Sequence, residues 1–305
     1  MKRGFIQWDR EILPPSVFET RLAQARQALA DRDLPALVVY SDVWRSNQAR
    51  YLTNFMPYWN RSLAVVPRDG PPVLLCALSP RVYPWIRSVT IFEEIRPAPK
   101  LAEAVTTLCA ERGWTNIGML DLPQVIHEVV APLRRAGLEL IDVPSIPQVD
   151  DAELAMRRRA ATRAREVLAA HLPSGAGRLD RHFAGTLERE FRRAGAEDLV
   201  ILLSTGEMVP APARGALLPA EYSVAVALEY CGHWVKVTRA RTAAQPLLDH
   251  SFDAALRSGL GRVEDLSGSY PYQMGRGPIF ALHVEATHAG RRLFHGDTCH
   301  QGRPL

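Results

Sequence analysis

The segment VAVALEYCGHWVKVTR, residues 224–239, has the pattern of two strands joined by a tight turn. Val224, Val226 and Leu228 fall on one face of the first strand, because side chains two positions apart point the same way. The opposite face carries Ala225, Ala227 and Glu229. Gly232 supplies a turn residue before the second apolar run. The segment therefore predicts a β-hairpin with one apolar face and one face of small or charged residues.

Length and composition exclude several classes of protein. The 305 residues, 47% of them apolar, suffice for two ordinary domain cores. No apolar run approaches the roughly 20 residues of a membrane span, and MKRGFIQWDREI lacks a signal-peptide pattern. Four scattered cysteines without a Cys-x-x-Cys pair are typical of free thiols in a reducing compartment. The net charge of +4 is modest, and no basic run is interleaved with aromatic residues. We therefore expect a cytoplasmic protein that binds neither nucleic acid nor membrane.

The first half of the chain alternates helix and strand patterns. Ser16 and Glu19 form a candidate capping box for a first helix, in which Phe18, Leu22 and Leu29 share one face. Six later apolar runs predict strands, and two connections between them have helical spacing. This alternation predicts an α/β domain, a sheet covered by helices. The strands are predicted at 36–40, 63–66, 73–77, 89–92, 116–120 and 138–143, and the helices at 100–112 and 124–136.

A change of pattern separates the two halves. The stretch PSIPQVD, residues 144–150, breaks both periodicities and predicts a boundary between domains 1–147 and 148–305. A long helical pattern begins at Asp151, and a second one leads into a strand within 182–206. The hairpin and a closing pair of strands follow, so we expect a second domain of α+β type.

In this order, the segments resemble the superfamily of creatinase, aminopeptidase P, prolidase and methionine aminopeptidase, whose fold is called pita-bread. Its hairpin motif reads roughly Asp-x-Gly-x-x-Tyr-x-Gly-Tyr-x-x-Asp-x-Thr-Arg. Tyr230, Gly232, Thr238 and Arg239 fall in register with that motif. The resemblance implies an α/β creatinase-like N-terminal domain followed by an α+β, shortened pita-bread C-terminal domain. The interval between Arg239 and Met274 is shorter than in the family, which implies that one or two helices are missing.

The first half resembles the N-terminal domain of creatinase and aminopeptidase P, through RLAQARQALADRDLPALVVY and the segment Tyr51 to Phe55. In creatinase, an aromatic-x-arginine unit of the neighbouring subunit touches the carboxylate of the substrate. Trp59 and Arg61 stand at the matching place, and arginine can bind a carboxylate through two hydrogen bonds. The resemblance implies that both bind substrate and that the protein is a homodimer. A solvated loop arginine beside a packed tryptophan explains the same residues equally well.

The acids of the family's metal site are replaced in this chain. The metallopeptidases hold two divalent ions with two Asp, one His and two Glu. The aspartate positions fall on Ala225 and Lys236, the histidine falls on Arg276, and the second glutamate falls near Gly296. Alanine has no donor atom, and protonated lysine and arginine offer no lone pair. Glu285 matches the remaining glutamate, so the resemblance implies a relic metal site, and we expect no cofactor.

The replacements place cations close to a surviving acid. We expect Lys236 and Glu285 to form an ion pair across the relic site, because an unpaired buried charge is strongly unfavourable. The alternative is that Lys236 extends its ammonium group to solvent.

The C-terminal hairpin permits a rival metal site. His283 and Glu285 share one strand face, and His295 and Asp297 share a face of the presumed partner strand. Pairing of the two strands could bring these four side chains together, and they are suitable ligands for zinc or a similar ion. The register of the pairing is not apparent from the sequence, and histidines near a chain end are commonly solvated.

Residues of the central hairpin suggest a metal-independent alternative. His233 is the only histidine of the hairpin motif, which makes it the best candidate for a general base, with Glu285 as a second catalytic group. A packed histidine is the simpler interpretation of the same residue. Arg239, which matches the arginine of the family motif, is a candidate substrate-binding residue.

Three classes of function follow. The first is a non-catalytic relative that binds a small carboxylate, a guanidino compound or a partner protein. The second is a metal-independent hydrolase or lyase of small C–N compounds, as creatinase is, and the third is a metalloenzyme using the C-terminal cluster. Loss of the metal ligands favours the first class, and ordinary two-metal aminopeptidase activity is not expected.

Overall fold

Apolar residues of the two halves of the chain collect into separate cores. The computed structural model describes residues 8–144, 149–266, 273–274 and 277–305. The chain divides into two units, Arg3–Ile146 and Pro147–Leu305. The first unit is an α/β layer structure and the second is an antiparallel sheet with helices, which confirms the predicted fold class.

The first unit contains a mixed sheet of six strands. The strand order is β4-β3-β2-β1-β5-β6, and the central strand β1 pairs antiparallel with β2 and parallel with β5. The strands are β1 (Ala36–Asp42), β2 (Arg61–Pro67), β3 (Val73–Cys76), β4 (Glu94–Pro97), β5 (Asn116–Leu120) and β6 (Glu139–Val143).

Helices cover both faces of this sheet. Helices α1 to α3 pack on the face that includes Leu37 and Val39, and α4 and α5 pack on the face that includes Val38. Burial on both sides explains why β1 reads as a continuous apolar run rather than an alternating one. The helices are α1 (Pro15–Ala30), α2 (Asn47–Thr53), α3 (Tyr83–Val89), α4 (Leu101–Arg112) and α5 (His127–Arg135).

Two local predictions for this unit are wrong. No strand lies at 89–92: Val89 ends α3, and Phe92 packs into the core from the connection to β4. The apolar residues at 89–92 therefore pack into the core of the first unit without forming a strand. The capping box is also absent, because α1 begins at Pro15 and holds Ser16 in its first turn. Proline at the first helical position has no N–H that needs a capping acceptor.

The second unit is built on an antiparallel sheet. Its strand order is β11-β10-β12-β13-β9-β8-β7, with β14 beside β13. The helices are α6 (Asp151–His171), α7 (Asp180–Arg193) and α8 (Gln245–Ser258). The strands are β7 (Asp198–Ser204), β8 (Tyr222–Tyr230), β9 (His233–Arg241), β10 (Arg262–Asp265), β11 (Gln273–Met274), β12 (Ile279–His288), β13 (Arg291–His300) and β14 (Arg303–Pro304). Among the residues described, no helix is both long and apolar enough to cross a membrane.

The predicted hairpin is strands β8 and β9, and its two faces differ as the sequence indicates. Val224 and Val226 share a core with Val237 and with residues of α6 and α7. The other face carries Ala225 directly opposite Thr238. Since small and polar residues replace the apolar packing on that face, it is left free to line a cleft.

Candidate ligand-binding cleft

A cleft of about 700 Å³ lies in the second unit and is lined mostly by strand residues from the face opposite α6 and α7. Three positions that the resemblance assigns to the metal site, Ala225, Lys236 and Glu285, all contribute to it. Polar groups from neighbouring strands line the same space, and α8 contributes small residues. The apolar part of the lining includes Leu202, Val209, Pro210, Leu260, Val284 and Phe294.

Lys236 crosses the floor of the cleft to reach a carboxylate that the sequence did not single out. Its Nζ atom donates to Oε2 of Glu264 on β10. Both residues are buried, with 6% and 2% of their surfaces exposed. Between them, in the same row across the sheet, lie Ala281 and Thr298. These short side chains leave a path along which the lysine stem can extend.

The prediction of an ion pair between Lys236 and Glu285 is therefore wrong, because the acceptor is Glu264. Glu285 instead accepts a hydrogen bond of 2.6 Å from Arg292 of the same hairpin, and both side chains are about half exposed. Water stabilises the charge of the exposed Glu285 carboxylate. The Glu264 carboxylate is buried, so its charge must be stabilised by a neighbouring cation. Lys236 is buried and does not extend to solvent.

A second cation shares the buried carboxylate. Arg262, two residues before Glu264 on β10, lies 3.1 Å from its other oxygen, and the Arg262 side chain is 60% exposed. Glu264 thus lies between a buried ammonium group and a guanidinium group that reaches the open side of the cleft. Two cations thus share the one buried carboxylate among the described residues of the cleft lining.

His283 places an imidazole beside this cluster. Its Nδ1 lies 3.2 Å from Oγ1 of Thr238, while its Nε2 is shielded from solvent and has no hydrogen-bond partner among the described residues. Burial, together with the charges of Lys236 and Arg262, lowers the pKa of His283 to about 3. The ring is therefore neutral at physiological pH.

Gly296 makes room for the imidazole. It is the cross-strand partner of His283, and a Cβ atom at position 296 would lie 2.5 Å from His283 Nδ1 and 2.7 Å from the carbonyl oxygen of Leu282. The resemblance places the family's second glutamate near this position. In this chain the space beside the glycine is occupied by His283.

His233 and Glu285, the candidate catalytic pair, are not brought together. His233 lies at the start of β9 on the strand face that α6 covers, and its Nδ1 is 3.4 Å from Glu153. Although burial alone raises the pKa of Glu153, His233 and Arg157 hold it well below its usual range. His233 is thus a partner in a buried ionic cluster under α6, which corrects its prediction as a general base.

Arg239 is also directed away from the cleft. Its guanidinium donates to Asp297 at 2.6 Å and to the carbonyl oxygen of Gly296 at 2.7 Å. Arg165 of α6 binds the same carboxylate at 3.0 Å. Asp297 therefore joins two arginines on the helix-covered face, and a substrate-binding role for Arg239 is not supported.

The rival metal site of the C-terminal hairpin is wrong because of strand register. His283 pairs with Gly296 across the hairpin, so His295 and Asp297 point to the other face of the sheet from His283 and Glu285. His295 packs against the ring of Phe252 on α8. Within the described parts of the chain, no group of three or more potential ligands is placed to hold a metal ion.

The two predicted substrate contacts of the first unit lie at the end of β2. Trp59 is 58% exposed and its ring lies 4.9 Å from that of Tyr58. Arg61 forms an ion pair with Glu128 of α5. Contact of either residue with a ligand remains a prediction. The remaining relic position, Arg276, lies outside the described residues.

The side chains in the cleft do not fit the two-metal site that the fold implies. Ala225 and Gly296 offer no donor atom, and Lys236 is a cation engaged with Glu264. Bringing divalent ions to this floor would place like charges together. Glu264 is the one buried carboxylate among the residues that line the cleft, and two cations already share it.

Three of the solved structures with the same fold are an X-Pro aminopeptidase, an Xaa-Pro dipeptidase and a prolidase. An X-Pro aminopeptidase from Thermotoga maritima superposes with a TM-score of 0.71 at 12% identity, covering 91% of this chain and 94% of that one. An Xaa-Pro dipeptidase from Bacillus anthracis gives 0.69 at 12% identity, with 92% and 94% covered. A prolidase from Pyrococcus horikoshii gives 0.67 at 10% identity, with the same coverage.

No protein-family model matches the sequence, and neither does any curated protein compared with it. The structural likeness extends over both units, and it is a likeness of fold. The chain has the pita-bread fold of the X-Pro aminopeptidases and prolidases, as its sequence predicts.

The buried ion pair generates a prediction about stability. Glu264→Gln should destabilise the protein by about 3–5 kcal/mol, because it leaves the Lys236 ammonium group without the Glu264 carboxylate. Lys236→Met should cost less, since Arg262 still accompanies the carboxylate. The double variant Lys236→Met/Glu264→Leu should recover most of the loss, because it removes both buried charges. Urea denaturation of the four proteins measures this, and additive effects of the two single changes would contradict the pairing.

The close approach at Gly296 generates a second prediction. Gly296→Ala should destabilise the protein by about 1–3 kcal/mol, because the added methyl group overlaps His283 and the backbone of Leu282. Gly185→Ala in α7 is the matched control, since its Cβ would meet no atom within 4 Å. Thermal denaturation distinguishes the two variants. Equal stability of both would show that the imidazole does not occupy the space beside Gly296.

Proposed function

We propose that this protein is a non-catalytic relative of the X-Pro peptidases that binds a small molecule in the cleft without metal ions. The observation that carries the proposal is the buried Lys236–Glu264 ion pair on the cleft floor. A protein-supplied ammonium group compensates the carboxylate there, so the floor needs no bound dication for its electrostatic balance.

The polar side chains that line the cleft are poorly suited to activating a water molecule. Hydrolysis at neutral pH needs a metal-bound water or a base whose pKa lies near the working pH. His283 has its pKa lowered to about 3 by burial and the nearby cations. It is therefore a weak base, and because the ring is neutral near pH 7 there is no imidazolium to act as a general acid. No contact in the described chain favours the metal-independent hydrolase over binding.

The cleft has the attributes of a small-molecule site. Its volume of about 700 Å³ falls within the range usual for ligand pockets, roughly 300–1,000 Å³. Its walls are largely apolar, and a few polar groups converge at the floor. In ligand pockets, apolar walls commonly provide the buried contact area, and a small number of polar groups fix the orientation of the ligand. A binding function uses these features without any reacting group.

Metal addition tests the proposal directly. We expect Mn²⁺, Co²⁺ or Zn²⁺ at micromolar concentration neither to raise the melting temperature nor to produce hydrolysis of Xaa-Pro dipeptides. The variant Lys236→Asp/Ala225→Asp serves as a control for metal binding, because it restores the two acids of the motif. Metal-dependent hydrolysis by the wild-type protein, with metal bound stoichiometrically, would refute the proposal.

We further propose that the protein is a homodimer that uses the end of the β1–β2 pair. Asp42 of β1 pairs with Arg61 of β2, so Trp44 and Trp59 both lie just beyond the same end of this pair. They are 54% and 58% exposed, and exposed tryptophans are enriched at protein interfaces.

Light scattering measures the state of association. We expect a mass of twice 33.9 kDa for the wild-type protein. The double variant Trp44→Ser/Trp59→Ser should shift the mass toward that of one chain, because it removes the apolar contact area. Leu217→Ser, which changes a residue 66% exposed in the second unit, is the control. A wild-type mass of a single chain would contradict the proposal.

A further inference from the structure

We propose that the ligand of the cleft is an organic carboxylate with an apolar body, held by Arg262 and by Nε2 of His283. The inference rests on the proposed binding function and names the chemical class of its ligand. Arg262 and His283 are direct cross-strand partners on β10 and β12, so their side chains leave the sheet side by side on one face. Both line the cleft.

The charges of the cleft favour an anion. Glu264 forms ion pairs with both Lys236 and Arg262, so one buried carboxylate is shared by two cations. The other acid of the lining, Glu285, is matched by Arg292 at 2.6 Å. Arg262 is the exposed member of its cluster, and its planar guanidinium can bind a carboxylate through two hydrogen bonds. A cationic ligand, such as a guanidino compound, would meet like charge at this floor.

Nε2 of His283 supplies the second contact once ligand binding displaces the side chains that shield it from solvent. A neutral imidazole carries one proton, and the hydroxyl group of Thr238 can donate to Nδ1 at 3.2 Å. In that arrangement Nε2 carries the proton and donates. A buried donor without an acceptor is costly, and Nε2 has none among the described residues. A ligand carboxylate that accepts from Nε2 removes this cost and adds a charge-assisted hydrogen bond.

Apolar side chains complete the site around the body of the ligand. Phe294 and Leu202 line the cleft from β13 and β7. Val209 and Leu260 also line it and are 45% and 75% exposed, so apolar surface continues to the opening. These side chains are suited to contact a hydrocarbon or aromatic group whose carboxylate lies at the floor.

Three matched probes test the charge and the hydrogen bond separately. Benzoate, benzamide and benzylammonium share one aromatic ring and differ in the charge of the attached group. We expect benzoate to bind the full-length protein at millimolar concentration, benzamide to bind at least about fivefold more weakly, and benzylammonium not to saturate. Calorimetry gives the affinities, and imidazole ¹⁵N spectra should show the His283 signals shift with benzoate.

Two variants assign the contacts. Arg262→Gln should weaken benzoate about fivefold and leave benzamide nearly unchanged, because it removes the charge and keeps a polar side chain. Arg257→Gln is the matched control, since it removes an exposed arginine of α8 that does not line the cleft. His283→Phe should weaken benzoate at least about tenfold through loss of the Nε2 donor. Circular dichroism confirms that each variant is folded.

The carboxylate can belong to a free acid or to the end of a peptide. The tripeptide Ala-Ala-Phe and its C-terminal amide distinguish the two sources. If the tripeptide binds more tightly than benzoate, and if its C-terminal amide does not bind, the site is assigned to peptide ends. A weaker tripeptide assigns it to free acids, and either result supports a carboxylate ligand.

The outcomes separate this inference from the proposed function. If benzamide or benzylammonium binds as tightly as benzoate, the carboxylate assignment is overturned while binding in the cleft stands. If benzoate does not saturate, or if Arg262→Gln and Arg257→Gln behave alike, the inference is also overturned. Metal-dependent peptide hydrolysis would overturn the proposed function itself, whatever the probes show.

Discussion

The buried Lys236–Glu264 ion pair is the constraint from which the arrangement of the cleft floor follows. Removing either partner leaves the other buried charge with less compensation, and the pair joins β9 to β10 across the intervening strands β13 and β12. The pair therefore connects distant strands of the sheet and places a compensated carboxylate, rather than a free one, on the cleft floor. It also accounts for the failure of the site to fit divalent ions.

Small residues permit this arrangement as much as charged ones do. Ala281 and Thr298 leave space along the row that Lys236 follows, and the Thr298 hydroxyl both accepts from and donates to the backbone of Lys236. Gly296 leaves space for the His283 ring, whose Nε2 then lies shielded beside the cations. Cations and an imidazole thus occupy the part of the fold where the resemblance places metal ligands.

Strand and helix patterns in the sequence predicted much of the fold. They did not predict which side chains contact each other across the sheet. The face carrying Val224 and Val226 was correctly predicted because alternation is a local property of one strand. Glu264 was missed because its burial depends on the pairing of β10 with β12, which no nearby residue specifies. The C-terminal metal set failed for a related reason, since a register offset of one residue reverses the face of a side chain. His233 was predicted as a general base, although its strand position places it under α6.

By itself, the sequence determined the fold class, the central hairpin and the lack of a carboxylate at Ala225 and Lys236, because these depend on local periodicity and on residue identity. Only the tertiary structure decided which acid compensates Lys236, where His283 lies, and which of the predicted groups share one cleft. Those outcomes depend on the register and order of strands distant in the chain. The free energy of burying a charge is settled by the partners that this packing brings within reach.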